Sequence, residues 1–190
     1  AFGSCSHQKQ PQPIWTTMLN ANPDLYISMG DMVYASRPED KPIAEQYRLQ
    51  ALVPEFRKFH SQKPVLGIWD DHDYDPNNFG TNYTLKEVSR NVFNSYFCNP
   101  SAGENGQGIY TMTSWGDADI FMTDGRWWRS ADEMKDSIDG KPNHEKVMLG
   151  KQQMKWLKNA LLYSNATFKI IAVGSQVLNP VSPYEVWHKF

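Results

Sequence analysis

Asp70-Asp71-His72-Asp73-Tyr74-Asp75 places four carboxylates and one imidazole in six consecutive positions, directly behind the apolar run Val65 to Trp69. Carboxylates this close repel one another, and each raises the pKa of its neighbours unless a cation neutralises them. A metal site is the economical explanation of such crowding; a solvated acidic loop is the alternative. An isolated calcium loop fits less well. Asp71, Asp73 and Asp75 alternate as EF-hand ligands do, but Pro76 stands where the sharp turn needs glycine, and Asn82 where the bidentate glutamate belongs. Oxygen-rich ligation leaves calcium, magnesium and manganese open.

Gly30-Asp31 alone reads as a common turn. Its place at the end of another apolar run changes that reading, because carboxylates from two strand ends can meet above a sheet edge and one of them can bridge two cations. Cys5, ending a third run, is either a small buried core residue or a thiolate ligand, a soft donor that favours iron or zinc over calcium. His72, beside Asp71, is placed to hydrogen-bond a phosphoryl oxygen or to protonate a leaving alkoxide, work suited to a side chain that exchanges protons near neutrality. Arg126 and Arg129 follow a strand end in Asp124-Gly125-Arg126-Trp127-Trp128-Arg129; Arg126 is a candidate anion clamp, and a structural pair with Asp124 is the competing role. His7, His60, His144 and His188 read as surface or core residues. Gly-x-x-x-x-Gly-Lys is absent, and Gly174-Ser175-Gln176 is no Gly-x-Ser-x-Gly elbow, which excludes a phosphate loop and a serine nucleophile of those types.

These groups need elements to hold them. Short apolar runs each end in small or acidic residues: Phe2 before Gly3-Ser4-Cys5, Leu25 to Met29 before Gly30-Asp31, Val65 to Trp69 before Asp70, Ile120 to Thr123 before Asp124, and Phe168 to Val173 before Gly174. Runs too short for helices and nearly continuous in hydrophobicity predict strands covered on both faces, in the interior of a layered sheet. Helical spacing lies between them, at Ile14, Met18 and Leu19; at Ile43, Tyr47 and Ala51; after Pro54; at Val88, Val92, Phe93 and Phe97; and at Met154, Trp156, Leu157, Ala160 and Leu161. The alternation predicts an α/β layered domain with ligands at the carboxyl ends of the strands. Ile109 to Ser114 and Ala118 to Thr123, joined by a Gly116-Asp117 turn, read as a hairpin, so mixed sheets are expected. Ser130 to His144 is the expected long surface loop.

The chain has 190 residues, 40% of them hydrophobic and 13% aromatic, enough for a core in a single domain. Nineteen basic and 21 acidic residues are interspersed, giving a net charge of −2 and no nucleic-acid-binding surface. No apolar run approaches the ~20 residues of a transmembrane segment, and the first residues do not form a signal peptide. Ala1-Phe2 running straight into Gly3 is what a clipped opening strand gives. Cys5 and Cys98 could form one disulfide. Asn82-Tyr83-Thr84 and Asn165-Ala166-Thr167 fit the glycosylation pattern, a hint of a secreted, periplasmic or cell-surface location.

Taken in order, Gly3-Ser4-Cys5-Ser6, Leu25 to Tyr34 with its Gly30-Asp31-x-x-Tyr34, Trp69-Asp70-Asp71-His72-Asp73-Tyr74, Asp124-Gly125-Arg126, Leu149 to Leu157 and Gly174 to Leu178 resemble the PhoD-like alkaline phosphatase and phosphodiesterase family of the calcineurin-like metallophosphoesterases. The resemblance implies a four-layer α/β/β/α sandwich. It implies a multinuclear site, iron plus calcium with zinc, manganese or magnesium as alternatives, hydrolysing a phosphate-ester small molecule. Carried over by position, Asp31 is the bridging carboxylate, Cys5 a ligand of the iron-like metal, Asp71 a ligand of a second metal, Tyr47 a phenolate ligand, and Asn78 a contact to metal or phosphate. This sequence departs from the pattern at Gly125, where the family has threonine. It also reaches Phe190 without the family's Ser-Gly-Asp-Arg-His ligand segment, so the C-terminal part of the domain is expected to be missing.

Overall fold

The computed structural model describes residues 1–35, 42–74, 77–182 and 186–190. Asp75 and Pro76 of the acidic stretch lie outside the described residues. In chain order the elements are β1 (Phe2–Gly3), α1 (Ile14–Asn20), β2 (Tyr26–Met29), α2 (Ile43–Leu52), α3 (Pro54–His60), β3 (Val65–Ile68), α4 (Asp71–Tyr74), α5 (Lys86–Tyr96), β4 (Thr111–Trp115), β5 (Ala118–Met122), β6 (Ser137–Ile138), β7 (Lys141–Pro142), α6 (Gly150–Tyr163) and β8 (Phe168–Ala172), followed by a 3₁₀ turn at Trp187–Lys189.

The first sheet is wholly parallel, in the order β1-β2-β3, with Phe2 opposite Ile27 and Tyr26 opposite Val65. Parallel neighbours need crossovers. α1 supplies the first, and α2 with α3 the second. Trp15 of α1 is buried with its ring 5.0 Å from Phe56 and 5.4 Å from Phe59 of α3, so the crossover helices are clamped to each other as well as to the sheet. Pro54 opens α3 at a position where a missing N–H costs nothing.

The second sheet has the order β4-β5-β8, with β4 antiparallel and β8 parallel to β5. This is the expected hairpin and the expected mixed character. Successive side chains of β5 point to opposite faces. Ile120 and Met122 join Ile27, Ile68 and Trp69 in one core, and Phe121 packs on the other side with Met148, Leu149 and Leu157, the last from α6. Hydrophobic burial on both faces is thus realised at β5.

At two edge strands the expected burial is not found. Phe168, Ile170 and Ile171 of β8 are 58%, 46% and 46% exposed, and Phe2 of β1 is 78% exposed. An apolar run signals a strand, but it does not say whether that strand is central or an edge. The acidic stretch forms a short helix from Asp71 to Tyr74. Tyr74 donates its N–H to Asp70 O at 3.0 Å and closes a helical turn. The 130–144 loop carries the small β6–β7 hairpin, turning at Asp139-Gly140.

Candidate metal centre

Five strand ends converge at one edge. Beyond β2 the chain reverses through Gly30 and Asp31, with φ of 99° and 54°. Gly30 has to be glycine for space as well as for φ, since a Cβ there would lie 2.6 Å from Asp70 Cβ. Cys5, beyond β1, donates its N–H to Gly30 O at 3.2 Å, and Ser6 donates to Asp31 O at 2.8 Å. One oxygen of Asp31 accepts the N–H of His72 at 3.3 Å, and the other lies 3.7 Å from Cys5 Sγ. Asp71 accepts the N–H of Asn78 at 3.1 Å. The outcome is that ligand atoms of Asp31, Asp71 and His72 all lie within 4.8 Å of one another.

Beyond β5, Asp124 is buried and accepts the N–H groups of Arg126 (2.8 Å), Trp127 (2.9 Å) and Ile109 (3.0 Å) and the indole N–H of Trp69 (2.7 Å). That knot fixes the turn from which the Arg126 side chain reaches Asp70: Nε donates to Oδ1 at 2.7 Å and a second guanidinium nitrogen donates to the same oxygen. Ser175, beyond β8, approaches Asp70 Oδ1 at 3.5 Å.

Burial pushes the Asp31 carboxyl up to about 8, with the charges of Asp73, Asp70 and Asp71 adding to the effect and the His72 N–H opposing it. Burial likewise pushes Asp73 up to about 7, against the donors that surround it. Among the described residues, His72 Nδ1 is buried without a hydrogen-bond partner. A buried, unpartnered ring nitrogen beside carboxylates that resist ionisation is a donor set suited to a cation.

The profile of PhoD-like phosphatases matches residues 1–182. The chain belongs to the PhoD-like phosphatase family. A solved structure titled "Structure of PhoD" superposes with a TM-score of 0.74 at 21% identity, covering 94% of this chain and 41% of that one. At that identity the likeness is one of fold, and this PhoD-like chain spans about two fifths of the length of the solved chain. Curated protein sequences give no match.

The residues expected from sequence are distributed as follows. Asp31, Asp71 and His72 come together, with Cys5 at the margin; Cys5 and Cys98 are both free thiols. Asn78 is exposed, with φ of 63°, and meets the site through its backbone N–H to Asp71. The Arg126 side chain is fully buried and pairs with Asp70 and not with Asp124. Gly125 tolerates the family's threonine for space, since a Cβ there meets nothing within 4 Å.

Tyr47 also lies elsewhere than expected. Its buried hydroxyl donates to Asp73 Oδ1 at 3.0 Å, and burial together with the Asp73 charge holds its pKa well above the usual tyrosine value. Among the described residues, the tyrosine that reaches the centre is Tyr34. Its ring lies 4.2 Å from His72 and 4.9 Å from His7, and it interacts with Cys5. Burial first, and then the Cys5 interaction, raise its pKa. The signal for Tyr34 was its place three residues after Asp31; the signal for Asp73 was its membership of the acidic run.

A pH dependence follows. An acid with a raised folded-state pKa favours folding fully below its unfolded pKa of ~3.9, and that contribution is lost as pH rises through the folded value. For Asp31 and Asp73 the loss runs from about pH 4 to pH 8. A divalent cation replaces the proton of Asp31, so the gain in Tm on adding Mn²⁺ to chelator-treated protein is expected to grow from pH 5 to pH 9. At ~2–4 °C per kcal/mol for a chain of this size the trend is readable by calorimetry. A gain independent of pH would contradict it.

Proposed function

We propose that this chain carries the cation-binding, water-activating centre of a hydrolase for phosphate mono- or diesters. The observation that carries the reading is the meeting of Asp31 from the β2 end with Asp71 and His72 from the β3 end. Asp31, Asp71 and His72, with Cys5 beside them, are the residues that would hold the ions. Their mixed oxygen, nitrogen and sulfur character supports a pair of unlike metals, iron plus calcium first, with zinc, manganese or magnesium as alternatives.

Cations bound there would supply a lowered pKa for water and neutralisation of charge on the phosphoryl oxygens. The protein residues have separate jobs. Asp31, held in a left-handed turn, faces both the His72 and the Cys5 sides and is the group placed to be shared. His72, packed against Tyr34, would hold an ion through one ring nitrogen in this reading, and only a ring free of the ions would instead hydrogen-bond a phosphoryl oxygen or pass a proton to the leaving alkoxide. Arg126 keeps Asp70 paired, so that Asp70 does not add an unbalanced charge next to Asp71.

The proposal includes a four-layer sandwich, supported by a core that draws on both sheets and by α6 packing on the far face of the second. It also includes a secreted, periplasmic or cell-surface location, with Asn82 and Asn165 both exposed. No helix among the described residues is long and apolar enough to cross a membrane.

The test is hydrolysis of an aryl phosphate and of the matching bis-aryl phosphodiester, before and after chelation, alongside elemental analysis. The expected result is bound metal and turnover that chelation abolishes and cation restores. A protein holding no metal and showing no turnover would overturn the proposal.

A further inference from the structure

Asp73 belongs to the acidic run, yet among the described residues it is surrounded by hydrogen-bond donors. Its Oδ2 accepts the N–H of Asp31 and, at 3.1 Å, the N–H of Asp70; its Oδ1 accepts the N–H of Met32 at 2.9 Å and the hydroxyl of Tyr47 at 3.0 Å. The carboxylate is fully buried. Four donors occupy both oxygens, so Asp73 has a different task from Asp71 although the two are separated by one residue.

The donors show what that task is. Asp31 and Met32 belong to the reversal after β2, and Asp70 to the exit from β3, so one carboxylate staples two strand ends together. Gly30 and Asp31 are consecutive residues with positive φ, and Asp31 is not glycine, so the turn carries a conformational cost that something must offset. Asp73 accepts the N–H of the strained residue and of the one after it, two donors that would otherwise be buried without a partner. Tyr47 of α2 completes the arrangement from behind: its ring is 4.9 Å from Tyr96 of α5 in a stacked pair, which fixes the direction of its hydroxyl.

We propose that Asp73 and Tyr47 are positioning residues of the centre: Asp73 staples the Asp31 turn to the β3 end, Tyr47 orients Asp73, and the cation affinity of Asp31 depends on both. This rests on the cation-binding reading above. Neither residue is a ligand in this scheme, and each acts through the backbone of Asp31.

The experiment uses the full chain with Asp73→Asn and Tyr47→Phe, Mn²⁺ alone as the probe, and amide hydrogen exchange on the cation-free protein. An asparagine must turn its NH₂ toward one pair of donors, so at least one backbone N–H of Asp31, Met32 or Asp70 faces another donor. Asp73→Asn is expected to weaken Mn²⁺ binding by about tenfold or more, the scale of a buried donor left unsatisfied, and Tyr47→Phe by about two- to fivefold. In both variants exchange should accelerate at the Asp31 and Met32 amides more than in the β5 amides. A purely structural role would speed exchange evenly across the core and leave the affinity of the folded protein unchanged. If Asp73→Asn does not fold, Tyr47→Phe alone decides, and parental affinity with parental exchange at Asp31 overturns the inference. A parent that binds no Mn²⁺ would instead sink the hydrolase reading, while the exchange comparison would still report on the staple.

Discussion

Asp31→Asn is expected to abolish cation binding and hydrolysis together, with turnover falling by at least ~10³-fold, the scale of losing a preorganised electrostatic group. The reason is position as well as charge. One oxygen faces the His72 N–H and the other the Cys5 thiol, so an amide in either orientation sets its NH₂ against one of these neighbours and leaves a single neutral acceptor. Stability should move in the opposite direction. Burial and three neighbouring carboxylates hold the parental carboxyl up to about 8, so above that pH the cation-free parent carries a buried charge that the variant lacks. At pH 9 with chelator the variant should therefore unfold at a higher temperature than the parent, and with saturating Mn²⁺ at a lower one. A functional group that destabilises the empty fold predicts this crossing. Metal content equal to that of the parent, measured by elemental analysis, would refute the assignment of Asp31.

The split roles within Asp70 to Asp73 mark where sequence reasoning succeeds and where it stops. That carboxylates gather at a strand end is legible, because a short apolar run followed at once by acidic residues has few structural interpretations. The same logic placed Gly30-Asp31 and the Gly3-Ser4-Cys5 turn at the same sheet edge. How the acids divide their work is not legible. A helical turn sends successive side chains in different directions, so Asp70 meets Arg126, Asp71 stays with Asp31 and His72, and Asp73 turns inward to backbone N–H groups. Each partner is distant in the chain. Arg126 lies 56 residues from Asp70 and Met32 lies 41 from Asp73, and local pattern carries no information at that range. The approach of Tyr34 to the centre was not legible for a related reason. Tyr34 is brought round by the reversal at Asp31 and is gripped on both sides of its peptide by Gln8, which accepts its N–H at 2.9 Å and donates to its carbonyl at 2.8 Å. Tyr47 lies on a well-formed helix and points to the rear of the same site. Burial of β8 was overestimated because period and composition do not count a strand's neighbours.

Arg126 supplies the second large effect, and it separates an anion clamp from a positioning role. Its guanidinium has no exposed surface, and Asp70 is 17% exposed. Removing one partner of a buried pair leaves an uncompensated charge and costs ~3–5 kcal/mol. Arg126→Met is therefore expected to lower the stability of the cation-free chain by ~3–5 kcal/mol, read from denaturant unfolding. Arg126→Lys keeps the charge but cannot place two N–H groups on Asp70 Oδ1 from one planar fork, so it should fall between parent and Arg126→Met. In Arg126→Met, Asp70 is freed as an extra carboxylate next to Asp71, whose Oδ1 also loses a guanidinium 3.9 Å away. The local potential becomes more negative, and added Mn²⁺ should raise Tm by more than it does in the parent. A phosphate-clamping arginine gives the reverse pattern: KM for the aryl phosphate rises in Arg126→Lys, stability is parental, and the response to Mn²⁺ is unchanged. Steady-state kinetics and unfolding measured on the same preparation decide between the two, because burial of the guanidinium couples this residue to folding and leaves it no surface with which to meet substrate.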